Sequence, residues 1–301
     1  MKKSNSIFIV LLSLLLLSAC RGGNSDNKKT TDSSFETSAD IIDLKKALVN
    51  IYFLFPSPAE ILFTINDVGL IYISNLTNSA KKKEMYIKSN EKYLNLGVYM
   101  ADLSYCALFK RLNEVEEYLE AIKRLSDELR LSSKVKKELI EKIKEDVNSI
   151  DSIKSITNQF FFDVINDLEA NNRQSDVTLI TTGAYVECLY LTVNQVDKYS
   201  KDNLIVQKIA EQKHAFNILY QYSKKHISKK ELAQSYSLIK EVNDAFWMLS
   251  QEDEELEITN DTINHIIIDG GGVIISSEAE FMSFKEKITK IRNTITKQTM
   301  K

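Results

Sequence analysis

The sequence predicts an all-α fold, a compact bundle in which consecutive helices pack antiparallel. From Ser38 onward, apolar residues recur with the helical period of about 3.6 and not with the period of 2 that is typical of strands. Only 8 glycines and 2 prolines occur in 301 residues, too few for the frequent turns of a β-sandwich or barrel. Short polar connections separate the helical segments, which favours antiparallel neighbours. A short α-solenoid of helical hairpins is the alternative architecture.

The composition is that of a folded domain and excludes some classes of function. Hydrophobic residues make up 44% of the chain and charged residues 27%, as in ordinary globular proteins. The formal net charge is only -3, so nothing in the charge balance indicates nucleic acid as a partner.

The first 20 residues have the pattern of an export signal. Lys2 and Lys3 precede an apolar run from Ile7 to Leu17, which is about half the length that a membrane-spanning helix needs. The run ends in Leu-Ser-Ala-Cys at positions 17–20. An ordinary secretory leader or a short membrane anchor would share the apolar run, but neither requires a cysteine at that place.

Residues 17–20 resemble the lipobox of bacterial lipoproteins at all four positions. The resemblance implies that Cys20 carries a diacylglyceryl thioether, that residues 1–19 are removed, and that the new amino group is acylated, for example with palmitate. Several acyl chains hold a protein stably on a membrane, whereas one binds reversibly. Arg21, in place of an Asp, implies by the enteric sorting rule an outer-membrane lipoprotein of the cell envelope; the membrane face stays open.

Residues 20–38 predict a lipidated cysteine with a polar, flexible tether of roughly 24 Å, and residues 39–301 predict a single helical domain. The chain as a whole is similar to uncharacterised all-helical lipoproteins of Bacteroidota-type bacteria. That resemblance implies no activity and no cofactor.

The helices of the domain can be placed in order. The first, over residues 39–54, ends before Pro56, and the motif Ser57-Pro58-Ala59-Glu60 then predicts a capping box that opens a helix to about Leu76. Lys81-Lys82-Lys83 follows in a connection, where it is a solvated loop or helix start, or alternatively an anionic-lipid patch. Further helices are predicted at about 90–110, 114–131, 134–148, 150–169, 176–198, 203–225 and 229–250.

The carboxyl-terminal part combines a hairpin and a last helix. Between His265 and Ile275, β-branched residues flank three glycines, which predicts a β-hairpin that turns at Gly270–Gly272. Ser277 and Glu280 then form a second capping box, and the helix behind it should extend to about Thr296.

Catalytic and metal-binding motifs are absent from the sequence. It has three histidines, none four residues from another, and no Cys-x-x-Cys pair, nucleophile elbow or dinucleotide-binding glycine motif. We therefore predict no catalytic residues, no metal site and no cofactor.

Two stretches, residues 93–109 and 177–196, are apolar nearly all round and predict central, buried helices. Each carries polar residues at spacings of 4, 3 and 4. An antiparallel packing would align all four pairs in one register, which also places the cysteines at 106 and 188 out of reach of each other and predicts two free thiols. The predicted pairs are Asn95 with Asn194, Tyr99 with Tyr190, Asp102 with Glu187, and Cys106 with Gly183.

The pair Asp102 and Glu187 would be the chemically active part of this seam. Two buried carboxyl groups must share a proton, bind a cation or accept hydrogen bonds. The favoured interpretation is a structural seam. The alternatives are a small-ligand or cation site built from Asn95, Tyr99, Asp102 and their three partners, and a carboxylate-dependent hydrolase.

Together these patterns predict a membrane-anchored lipoprotein whose helical domain is non-catalytic and binds a partner protein or an envelope component such as a polysaccharide. The prediction depends on Cys20, on the tether and on the absence of catalytic motifs.

Overall fold

A computed structural model describes residues 55–131, 142–143, 145, 149–227, 232–250, 257–260, 266–269 and 274–298. The prediction of an all-α fold is confirmed, because the described residues form packed helices. In chain order the elements are α1 (Pro58–Asn66), a 3-10 helix (Ala80–Met85), α2 (Ser89–Leu108), α3 (Leu112–Glu128), α4 (Ile150–Ala170), α5 (Gln174–Val193), α6 (Leu204–His226), α7 (Ala233–Trp247), β1 (Glu257–Asn260), β2 (Ile266–Asp269) and α8 (Glu278–Ile295).

Helices α2 and α5 form the centre of the bundle, as their apolar composition predicts. From Tyr93 to Leu108 every residue of α2 is buried, and so is α5 from Val177 to Val193 except for the partly buried Tyr190. The two helices pack against each other. Helix α3 also packs on α2, and helices α6 and α8 pack on α5. Because both helices are buried on every side, neither presents a polar face to solvent.

Two glycines let the backbones of α2 and α5 touch. A Cβ atom at Gly97 would lie 1.9 Å from the carbonyl oxygen of Ile180, and one at Gly183 would lie 1.9 Å from that of Leu94. These distances are far below van der Waals contact, so only glycine fits at either place.

Helices α2 and α5 are parallel, and the predicted antiparallel register is wrong. At their amino ends, Arg173 lies over the ring of Tyr93, 5.6 Å from its centre. At their carboxyl ends, the Ile71 carbonyl accepts from the Tyr105 hydroxyl while the Ile71 N–H donates to Gln195. The polar residues of the two helices have the same spacings, and such spacings fit a parallel pair as well as an antiparallel one. Because α5 does not follow α2 in the chain, no short connection forces the pair to be antiparallel.

Helices α2 and α3, which are consecutive in the chain and pack directly, are antiparallel. Lys92 near the start of α2 forms an ion pair of 2.6 Å with Glu128 at the end of α3. Tyr185 in the middle of α5 donates its hydroxyl to the carbonyl of Gln212 in the first half of α6, so these two consecutive helices also pack directly.

The capping box at the start of α1 is confirmed, but the helix is shorter than predicted. Ser57 Oγ accepts from the N–H of Glu60, whose carboxylate accepts from the N–H of Ser57. The helix ends at Asn66 and not near Leu76, because Gly69 adopts a φ of 110°. The following residues bond to other helices, as Ile71 does.

The capping interaction at the start of α8 takes a modified form. Ser277 Oγ accepts from the Glu280 N–H, as predicted. The Glu280 carboxylate, however, accepts from the N–H of Ser276 and the hydroxyl of Ser250, so it ties α8 to the end of α7.

The predicted β-hairpin has different partners from those expected. Strands β1 and β2 pair antiparallel, with Glu257 opposite Asp269 and Asn260 opposite Ile266. The segment before the glycines therefore pairs with upstream residues. Ile274 and Ile275, which the prediction placed in the second strand, are not in a strand, and the backbone N–H of Ile274 bonds to the carbonyl of Ser250.

Several predicted features lie outside the described residues: the leader, Cys20, the tether, the helix over 39–54, the glycine turn, and all but three residues of the helix over 134–148. Within the part of the chain that the structure describes, no helix combines the length and apolar character needed to cross a membrane.

Candidate functional site

Three helices bring charged side chains together in the core. Asp102 of α2, Glu187 of α5 and Arg292 of α8 are each at most 1% exposed to solvent. We call these three residues the charged core cluster. Ions so deeply buried are stable only when they are paired and hydrogen-bonded, so their partners decide what the cluster can do.

Glu187 and Arg292 form a two-pronged ion pair. Arg292 Nε lies 2.9 Å from one carboxylate oxygen of Glu187, and Nη2 lies 3.0 Å from the other. This geometry matches the guanidinium fork to the carboxylate plane. Burial alone lowers the pKa of Arg292, but the charge of Glu187 and its hydrogen bonds outweigh that effect and leave the pKa raised.

The remaining donors of Arg292 are also used. Nη2 donates to the carbonyl of Leu76 at 3.4 Å, and Nη1 donates to the side chain of Gln298. The guanidinium lies over the ring of Tyr190, 4.4 Å from its centre, where the face of the ring attracts a cation. Arg292 thus links α8 to α5 and to the chain ahead of α2.

Asp102 is held in a different way. Its Oδ2 accepts from the backbone N–H of Asn78 at 3.2 Å, and its Oδ1 receives no hydrogen bond from the described residues. Burial raises the pKa of Asp102 well above its ordinary value, and the neighbouring Glu187 charge raises it further. A protonated Asp102 can donate to Glu187, which leaves a cluster with one negative and one positive charge.

Tyrosines fix the chain segment that faces this cluster. The hydroxyl of Tyr99 donates to the carbonyl of Ser79 at 3.1 Å, and that of Tyr118 donates to the carbonyl of Asn78 at 3.0 Å. The side-chain amide of Asn78 donates to the Tyr86 hydroxyl at 3.0 Å. Residues 78–79 are therefore held by hydrogen bonds from α2, α3 and the residue that ends the 3-10 helix.

The carboxyl end of α8 is bound by polar side chains from the other elements. Asn95 donates to the carbonyl of Ile295 at 2.9 Å, and Lys82 reaches the carbonyl of Thr296 at 3.4 Å. Lys297 forms a 2.8 Å ion pair with Glu91. Positive charge at this helix end also complements the helix dipole.

An open polar cleft lies on the outer side of the same elements. It has a volume of about 1160 Å³ and lies between the segment 75–85 and α8. Its lining is rich in lysines, amides and hydroxyls: Asn75, Thr77, Ser79, Lys82, Met85, Glu286, Thr289, Lys290, Asn293, Lys297 and Gln298. We call this feature the α8 cleft. Gln298 belongs both to the cleft and to the contacts of Arg292, so cleft and cluster are joined by one side chain.

The residues of the predicted seam are only partly brought together. Asp102 lies beside Glu187, and Tyr190 lies under the arginine that binds Glu187. Asn95 instead caps α8, and the Asn194 side chain donates to the carbonyl of Tyr190 at the end of its own helix.

The predicted partner pairs Asn95 with Asn194 and Tyr99 with Tyr190 do not form, because α2 and α5 are parallel. Gly183 packs on Leu94 and not on Cys106. Cys106 and Cys188 are buried free thiols, as predicted.

The sequence analysis did not identify Arg292, whose positive charge balances the buried carboxylate of Glu187. A signal for it was available, since Arg292 lies four residues after Ile288 and three before Ile295, on the buried face of α8. A charged residue at such a core position requires an opposite charge in the interior. The role of Asn78 had no comparable signal, because its backbone N–H and not its side chain binds Asp102.

Among the described residues, no group of three or more His, Cys, Asp or Glu side chains is arranged to hold a metal ion. Comparison of the chain with protein-family models, with curated proteins and with solved structures gave no match.

Proposed function

We propose that the protein is a lipoprotein of the bacterial cell envelope, anchored through acylated Cys20 in the outer membrane, whose helical domain binds an envelope component without catalysing its conversion. The α8 cleft is the binding site in this proposal. The observation that carries it is the cleft itself: about 1160 Å³ of open space, lined mainly by polar residues, beside a helix end that is held by hydrogen bonds. Ligand sites are typically concave and largely preformed.

The charged core cluster serves a structural role in this proposal. Arg292 already occupies the position that a cation between Asp102 and Glu187 would take, with both of its contacts to Glu187 within 3.0 Å. A bound cation would have to displace a buried guanidinium and leave it without a partner, which costs several kcal/mol. The geometry therefore gives less support to a cation site at these carboxyl groups.

The same geometry gives little support to a hydrolase. A general acid or base must reach the substrate within hydrogen-bond distance, directly or through one water. Asp102 and Glu187 are both 0% exposed, and Arg292 holds both oxygens of Glu187. A substrate in the α8 cleft meets Gln298 and lysine side chains first.

The anchor can be tested independently of the cleft. We expect cells that produce the full chain to incorporate labelled palmitate into it, and Cys20→Ser to abolish both the label and sedimentation with envelopes. Labelling that persists in Cys20→Ser would contradict the anchor. The matched control is Cys106→Ser, because that thiol is buried in the helical domain and should leave the label unchanged.

The cleft can be tested with two threonine substitutions on the same helix. Thr289 lines the α8 cleft, whereas Thr294 is exposed and does not line it. We expect Thr289→Trp to reduce the recovery of envelope glycan with the detergent-solubilised full chain to background, and Thr294→Trp to leave it unchanged. Equal recovery with both variants and the parent would overturn the cleft as the binding site.

A further inference from the structure

The charges that line the α8 cleft are mostly positive, in a chain whose net charge is -3. Lys82, Lys290 and Lys297 line it, against one carboxylate, Glu286. Of the three lysines, Lys297 is paired with Glu91. A local excess of positive charge on an acidic protein attracts anions and repels cations.

The amines of two of these lysines can pair with a negatively charged ligand. The amine of Lys82 contacts the carbonyl of Thr296 and forms no ion pair within the described part of the chain, and neither does that of Lys290. Burial lowers the pKa of Lys82, and the positive Arg292 behind it lowers the pKa further. An anion in the cleft would relieve that repulsion as well as pair with both amines.

The uncharged part of the lining is suited to hydroxyl groups. Thr77, Ser79 and Thr289 supply hydroxyls, and the side-chain oxygen of Asn293 receives no hydrogen bond from any described residue. These hydroxyls and the side-chain amide of Asn293 are groups that suit the hydroxyls of a ligand. Among the described residues, no aromatic ring lines the cleft, so the recognition proposed for it involves no stacking on a ring.

We infer that the α8 cleft binds a phosphate-bearing, hydroxyl-rich ligand, with Lys82 and Lys290 on the phosphate and Asn293 on a hydroxyl. Lysine is a compact point charge that suits phosphate oxygens without the fixed geometry of arginine. This inference rests on the proposed function, because it names the ligand class of the same cleft. A phosphorylated glycan and a phosphoglycerol lipid headgroup share this chemistry.

Calorimetric titration of the full chain, in a non-ionic detergent without sugar or phosphate, tests the inference. The probes are glucose 6-phosphate, glycerol 3-phosphate and neutral glucose. We expect the two phosphates to bind about tenfold or more tightly than glucose, since a charge-assisted contact is worth that much. The tighter of the two phosphates then identifies the source as glycan or headgroup. Equal binding of all three probes would overturn the inference.

A charge reversal locates the phosphate. Lys290→Glu should weaken binding of the phosphate probes by about tenfold or more. The matched control is Lys287→Glu on the same helix, because Lys287 contacts Met248 on another face and does not line the cleft. Equal affinities of the two variants would overturn the assignment of Lys290.

Failure of this inference can be told apart from failure of the proposed function. If Thr289→Trp abolishes recovery of envelope glycan while phosphate brings no gain in affinity, the cleft is a binding site for a neutral ligand and only the phosphate inference fails. If Thr289→Trp changes nothing, the proposed function fails, and a phosphate preference measured on the parent chain belongs to another surface.

Discussion

The two faces of α8 differ in whether their positive charges are paired within the protein. On the inner face, Arg292 is 1% exposed and has a partner for each part of its guanidinium. On the outer face, Lys290 is exposed, lines an open cleft, and forms no ion pair with any residue that the structure describes. One helix therefore carries a charge that holds the fold together and another that is available to a ligand.

The difference teaches where substitutions should show their effect. A buried ion that loses its partner keeps its desolvation cost, so changes on the inner face should appear in stability. An exposed lysine with no partner contributes little to stability, usually within about 0.5 kcal/mol, so changes on the outer face should appear in binding. Both faces can be probed by single substitutions in one helix.

The largest expected effect is that of Arg292→Met. Glu187 would be left buried without its cation, and the free energy of unfolding should fall by about 3–5 kcal/mol. Urea unfolding of the full chain, followed by circular dichroism, measures the change. A loss below about 1 kcal/mol would show that the inner face is no more dependent on its charge than the outer one.

The double variant Glu187→Gln with Arg292→Met separates lost charge pairing from lost packing. It removes both charges, and the free energy of unfolding should recover a large part of the loss caused by Arg292→Met alone. No recovery would mean that the van der Waals contacts of Arg292, such as that with Tyr190, matter more than its charge.

The next effect is that of Gly183→Ala, which tests the contact on which the cluster depends. The new Cβ would meet the Leu94 carbonyl oxygen, so α2 and α5 would have to separate, at a cost of about 1–3 kcal/mol or more. Gly69→Ala is the control, because its Cβ would meet nothing within 4 Å and only its φ of 110° is strained. We expect Gly183→Ala to lower the denaturant midpoint more than Gly69→Ala does, because only the first substitution forces two helices apart. Equal shifts would mean that the contact between α2 and α5 relaxes at no greater cost than the strained φ of Gly69.

The comparison of the faces also shows what a sequence can and cannot predict here. The capping box at Ser57, the N-cap bond of Ser277 and the burial of α2 and α5 were predicted correctly because they depend on residues close together in the sequence. The direction of α2 relative to α5 was not predicted correctly, since identical polar spacings fit either direction. The close contact is set by Gly97 and Gly183, and its partners are backbone atoms far apart in the chain.

The same limit applies to the candidate site. Asp102 and Glu187 do meet, although the antiparallel register from which their pairing was predicted is wrong. That Arg292 neutralises them could not be derived from α2 and α5 alone, because it comes from a helix more than 100 residues further along. The α8 cleft depends on the 3-10 helix and on the end of α8 lying side by side, an arrangement that no local pattern encodes.

A last expected effect appears only as a dependence on pH. Because burial and the neighbouring Glu187 raise the pKa of Asp102, the folded state keeps this proton after the unfolded state has lost it near pH 3.9 or so. The free energy of unfolding should therefore fall with rising pH, by up to about 1.4 kcal/mol per pH unit, until the pH reaches the raised pKa. Asp102→Asn cannot ionise and should lack that decline.

Urea unfolding at several pH values between about 4.5 and 7 measures the difference between parent and Asp102→Asn. The difference should grow in favour of the variant as pH rises. Lys290→Gln, on the outer face, should follow the parent at every pH, because its charge is in water in both states. If parent and Asp102→Asn fall in parallel, Asp102 is ionised in the fold, and the inner face then holds two negative charges against the single Arg292.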